Sequence, residues 1–176
     1  MDTSAIAFLR PDGSVRKRLS NQPWGLRFEP LGDLDGDGTP ELATGNGVHV
    51  NIVSLDPSAV RNGSGVNPLI LSQTADPVIG TTWSATLDCS GHASGLAALW
   101  GFSAPTSGSI TPFGEILITG HKVFDFVQLH FGGPTLFQAN VPNRVDLIDL
   151  PIFIQGACTG APGARLSNAL DVLVGK

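Results

Sequence analysis

In TTWSATLDC, residues 81–89, the apolar side chains Trp83, Ala85, Leu87 and Cys89 alternate with Thr82, Ser84, Thr86 and Asp88. Successive side chains of an extended chain point to opposite faces, so this order predicts a strand with one face in a core and one in water. Runs of similar character follow on either side: PLILS (68–72), LAALWGFS (96–103), EILI (115–118), KVFDFVQLHF (122–131), TLFQAN (135–140), PIFIQGAC (151–158) and LSNALDVLVG (166–175). Turn residues separate them. Helices over DLIDLP or SNALDVLV are the competing reading, but their Val and Ile content and short length favour strands. About eight strands suit an antiparallel β-sandwich, jelly-roll-like in arrangement.

The composition agrees. The 176 residues include 22 Gly and 13 Pro without a repeat period, and the strings between them favour Val, Ile, Thr, Phe and Leu, as in a turn-rich β protein. Such a length holds one domain with a core, or a small module beside a domain of about 100–130 residues. Residues 1–55 read as the module. SAIAFLRPDG (4–13), SVRKRLS (14–20), GLRFEPLG (25–32) and GVHVNIVSL (47–55) are short strands, and Pro11-Asp12-Gly13 is a turn in which proline presets φ and glycine accepts a positive one. DPSAVRNGSGVNP has connector content, so residues 56–67 are read as a linker and 68–176 as the sandwich domain.

Within the module, LGDLDGDGTPELATG, residues 31–45, packs Asp33, Asp35, Asp37 and Glu41 into nine positions. The whole chain has 15 acidic against 10 basic residues, and setting those four aside leaves 11 against 10. The acidity is therefore local. Alternating spacing converges three carboxylates on one point, with Gly38 allowing the bend behind them, and crowded carboxylates repel unless a cation joins them. Oxygen ligands at this density suit Ca2+, which takes roughly six to eight. An EF-hand is excluded, because its closing Glu would fall where Thr44 stands and no amphipathic helix flanks the loop.

The stretch EPLGDLDGDGTPELATGNG resembles an FG-GAP (integrin α-type) β-propeller repeat, whose calcium loop runs Asp-x-Asp-x-Asp-Gly-x-x-Asp between strands. The resemblance covers roughly residues 4–55, a single repeat. It implies side-chain ligation by Asp33, Asp35 and Asp37, a backbone carbonyl at Thr39, and Glu41 closing the shell where the family usually has Asp. Residues 68–176 are similar in pattern to the C-terminal domain of secreted FG-GAP proteins of bacteria such as planctomycetes, on PVIGTTWSATLD and NVPNRVDLIDLPIFIQGACTGAPGARLSNALDVLVG. That second likeness implies export and a surface role, and no activity.

Location follows from weaker signals. MDTSAIAFLRPDG lacks the basic and apolar regions of a signal peptide, and no apolar run approaches the roughly 20 residues that span a bilayer. Cys89 and Cys158 both end strand-like runs. They either bridge or remain as buried thiols. A bridge would close a loop of about 70 residues and contribute on the order of 4 kcal/mol. Asn62-Gly63-Ser64 is a glycosylation triplet. With the export likeness, these features favour an extracellular chain.

Catalytic patterns are thin. His49, His92, His121 and His130 form neither HxH nor HExxH, GHASG is not a nucleophile elbow, and Arg16-Lys17-Arg18 is too short a basic run for nucleic acid. Asp125 reads as exposed and His130 as a satisfied histidine. Trp83 falls on the apolar face, while Trp24, in the turn-like NQPWG, is the better candidate to stack on a sugar. A single propeller repeat leaves strand edges uncovered, and uncovered edges add strands. The expected function is therefore a non-enzymatic, calcium-binding structural protein that self-associates through strand edges into a fibre or surface layer. The alternative is a calcium-dependent glycan-binding or adhesion module.

Overall fold

The computed structural model describes residues 5–9, 15–20, 27–32, 34, 41–45, 50–54 and 58–175. The chain divides into two compact units, Met1–Pro57 with Gly175–Lys176, and Ser58–Val174. All sheets are antiparallel and the fold is all-β.

The first unit holds a two-stranded sheet, β1 (Ala5–Leu9) with β2 (Val15–Ser20), and a three-stranded meander of β3 (Arg27–Gly32), β4 (Glu41–Gly45) and β5 (Val50–Ser54). Strand β4 is an element the sequence did not announce, because its residues continue the acidic stretch. Phe28, Val50 and Ile52 are exposed on the meander. The turn at Pro11-Asp12-Gly13 lies outside the described residues.

In the second unit, β6 (Ser58–Arg61), β7 (Leu71–Ala75), β8 (Thr82–Asp88), β9 (Gly95–Thr111), β10 (Gly114–His130), β11 (Pro134–Asn140), β12 (Pro151–Cys158) and β13 (Arg165–Leu173) form two sheets, ordered β10-β9-β12-β13-β6 and β11-β8-β7. The sheets face each other across one core. Leu71, Trp83, Ala85, Leu87 and Phe137 meet Leu99, Ile154, Leu170 and Val172, so the apolar face of TTWSATLDC is realised as read; on the other face Ser84, expected in water, is buried and shares a hydrogen bond with Thr74 at 2.8 Å. Residues 58–61, read as linker, instead form β6 on the edge beside β13; Ser and Arg on an edge strand carry no apolar signal.

The connectivity is a Greek key rather than a jelly roll. Residues 112–113 alone join β9 to β10, and strands linked so tightly pair directly in one sheet. With β7, β8 and β11 taken as A, B and E, and β9, β10, β12 and β13 as C, C′, F and G, the order is of the immunoglobulin type; β6 is an additional edge.

EILI and KVFDFVQLHF, predicted as separate strands, merge into β10 through irregular pairing between Thr119 and Phe124. At Gly120, φ is +88°, and a Cβ there would lie 2.6 Å from Ser103 Oγ, so only glycine makes this passage without strain. Leu117 and Ile118 of β10 pack with Ala169, Trp100, Phe102 and Phe153, in a second small core. Ile154 belongs to the main core and Phe153 to this one, which accounts for the unbroken apolar run of PIFI: both faces of β12 are covered.

Candidate functional site

The acidic loop connects two paired strands. Gly32, at the end of β3, stands opposite Glu41, the first residue of β4, so the ends of residues 33–40 are held together by the antiparallel ladder. Asp33, Asp35, Asp37 and Thr39 lie outside the described residues. Glu41 is 4% exposed. Its Oε2 accepts the Leu34 N–H at 2.6 Å, which ties the strand back to the loop, while its Oε1 is buried with no hydrogen-bond partner among the described residues. A buried carboxylate oxygen without a donor is costly unless a cation completes its surroundings. The donor chemistry fits a hard cation: a buried carboxylate oxygen with no donor among the described residues, at the end of a stretch of sequence carrying three more carboxylates. Among the described residues alone, no group of three or more His, Cys, Asp or Glu is gathered for a metal.

The remaining predicted positions are distributed over the second unit. Cys89 and Cys158 are joined in a disulfide, with Cα atoms 5.6 Å apart. Cys89 follows β8 and Cys158 ends β12, so the bond links the two sheets. Asn62 Nδ2 donates to the Asn67 carbonyl at 2.9 Å, which engages the atom that would carry a glycan in holding its own loop. Trp83 is buried, and its Nε1–H donates to Gln73 Oε1 at 3.2 Å. Trp24 lies outside the described residues. Asp125 pairs with Lys122 on the surface at 2.6 Å. His130 is buried, with Nδ1 accepting from Gly132 N–H at 3.2 Å; that acceptor role places the proton on Nε2, which donates to the Thr159 carbonyl at 2.7 Å.

Buried polar groups that the sequence did not single out organise the second unit. Glu115, at the start of EILI, accepts from Ser64 N–H at 2.7 Å, Ser64 Oγ–H at 2.6 Å and Gly108 N–H at 2.6 Å. The Gly108 and Ser64 hydrogen bonds, helped by the charge of Arg61, hold its carboxyl below the ordinary value of 4.5. Gly63 makes room for it: with φ +48°, a Cβ there would fall 2.6 Å from the Glu115 carboxylate. Asn67 and Gln155 each donate to the carbonyls of Glu115 and Ser167, between 2.8 and 2.9 Å. Asn168 joins the sheets: Oδ1 accepts from Ile70 N–H and Leu71 N–H at 2.9 Å each, and Nδ2 donates to the Leu71 carbonyl at 2.8 Å. Arg61 holds Asp171 through Nε at 2.9 Å and donates through Nη1 to the Thr106 carbonyl at 2.9 Å.

Among the described residues no helix is long and apolar enough to cross a membrane. No protein-family model, no curated protein and no solved structure matches this chain.

Proposed function

We propose that the chain is an extracellular, calcium-binding structural protein without enzymatic activity, whose copies add strands to one another and build a fibre or surface layer. The observation that carries the calcium half is the buried Oε1 of Glu41, which has no hydrogen-bond partner among the described residues and follows directly on the acidic stretch in sequence. Glu41 would close the shell, Asp33, Asp35 and Asp37 would supply the other carboxylates and Thr39 its carbonyl, in keeping with the FG-GAP resemblance. Bound Ca2+ supplies the positive charge that lets these acids share one loop. Assembly is supported by two features of the first unit: among the described residues its sheets have two and three strands, and Phe28, Val50 and Ile52 are exposed. The Cys89–Cys158 bond supports an oxidising, extracellular setting.

The test is the mass and shape of the purified protein, by light scattering and negative-stain electron microscopy, with calcium and again after a chelator. Polymers that dissolve on chelation are the expected result; a compact monomer under both conditions at high concentration overturns the reading. A glycan-binding or adhesion module is the second reading, favoured by the half-buried Trp100 and Phe102 beside a cavity of about 450 Å³ that Phe113 and Ile116 also line. Glycan-array binding lost in Trp100→Ala or Trp24→Ala would establish it.

A further inference from the structure

The two flanks of the sandwich in Ser58–Val174 are closed differently. On one flank, Asn168 of β13 bonds to the main chain at Ile70 and Leu71, so the two sheets are stitched by three hydrogen bonds to one buried side chain. On the other flank, β10 and β11 are the last strands of their sheets among the described residues. Gln128 Nε2 donates to the Leu136 carbonyl at 2.8 Å. Beyond that link, toward Asn140, the sheets part around a cavity of about 380 Å³ lined by Trp83, Phe124, Phe126, Val141, Ile152 and Val172.

The strand order says what is missing there. A constant-type immunoglobulin sheet carries a fourth strand, D, beside E. Here, among the described residues, the sheet ends at β11, in the E position. The two edges of the opening also differ. β10 shifts register twice between Thr119 and Phe124, and such bulges turn an edge away from pairing. β11 runs against β8 from Pro134 to Asn140 without any shift, so its outer edge is regular.

We infer that the β11 edge from Phe137 to Asn140 accepts an extended strand contributed by a second copy of this chain, whose alternate side chains fill the apolar cavity. The inference rests on the assembly reading above and names its acceptor. A strand is the fitting occupant because the edge presents main-chain N–H and C=O groups in ladder spacing, which another main chain satisfies and a lipid or small apolar molecule does not. The chain itself carries a suitable donor. SAIAFL, residues 4–9, has no charge, and in an extended strand Ile6 and Phe8 share one face while Ala5 and Ala7 share the other. Its strand β1 belongs to a sheet of only two strands, which leaves β1 a second edge without a ladder partner among the described residues.

The experiment titrates a fluorescent peptide of residues 4–10, SAIAFLR, against the full chain and reads anisotropy, with light scattering in parallel. Saturable binding is expected, weakened at least about tenfold in the peptide with Ala7→Pro, since proline removes a ladder donor. In the full chain, Ala139→Glu, which puts a charge beside the cavity, should weaken binding in the same way with the circular dichroism unchanged. The proline peptide keeps the test decisive should that variant fail to fold. Binding insensitive to the proline overturns the inference, as does a co-purified apolar molecule, seen by native mass spectrometry, that the peptide does not displace. A chain that assembles but does not bind the peptide overturns this acceptor and leaves the assembly reading standing. A chain that stops at a dimer and binds the peptide supports the acceptor and removes the fibre reading alone, whereas a chain that stays monomeric at high concentration overturns both.

Discussion

Asn168 is fully buried in β13, between Ser167 and Ala169, which are also fully buried. Its amide replaces ladder partners that the edge of β7 lacks, so truncation strands two N–H groups and one carbonyl in the interior. Asn168→Ala should therefore cost about 2–4 kcal/mol in urea unfolding, more than a typical surface change. Glu115 makes the complementary case for charge. Its pKa is held below 4.5 by donors that only the folded chain supplies. The stabilisation is complete above the unfolded value and is lost as pH falls through the lower folded value. Stability measured from pH 7 to pH 2 should decline on the acid side of 4.5, and the decline should be shallower in Glu115→Gln, which keeps an acceptor but no longer titrates. Neither residue was legible beforehand. An alternation pattern reports which face is apolar, and a polar residue within it gives no sign of whether it is exposed or satisfied inside.

At the scale of elements, the disulfide and the long hairpin do different work. Cys89 and Cys158 are 69 positions apart and join the two sheets. In the chain-entropy account, a loop of that length confines the unfolded chain by about 4 kcal/mol. Replacing both cysteines with Ala should lower stability by about 2–5 kcal/mol, and reductant should lower the melting temperature of the native protein but not of the double variant. The positions of both cysteines at strand ends were readable; the pairing itself depended on two distant strands meeting across the core. β9 and β10 were read as shorter strands, 96–103, 115–118 and 122–131, separated by turn residues. Gly120 does mark an irregularity, but β10 continues through it because Leu117 and Ile118 find a second apolar surface on Trp100, Phe102 and Phe153.

At the scale of the molecule, the acidic loop belongs to Met1–Pro57 with Gly175–Lys176, and the disulfide core to Ser58–Val174. If the proposed calcium site is real, calcium held only by the folded loop would stabilise that unit by mass action, about 2.7 kcal/mol at a concentration one hundred times its Kd. Calorimetry should resolve two transitions: one raised by calcium, lowered by chelator and made insensitive by Glu41→Gln, and one that responds to neither. A single transition moving with calcium would show that the units unfold together.

The sequence by itself determined what depends on near neighbours along the chain. Period-two alternation assigned the apolar face of TTWSATLDC to a core, and Gly and Pro marked turns between the strands of the second unit. Tertiary structure alone decided the Greek-key order, the passage of β10 through Gly120, the strand at Ser58–Arg61, and the burial of Glu115, Gln155 and Asn168. The division has a physical cause. Facing and turn geometry are set by steric rules within a few residues, whereas strand order and the satisfaction of buried polar groups depend on partners 38 to 110 positions away.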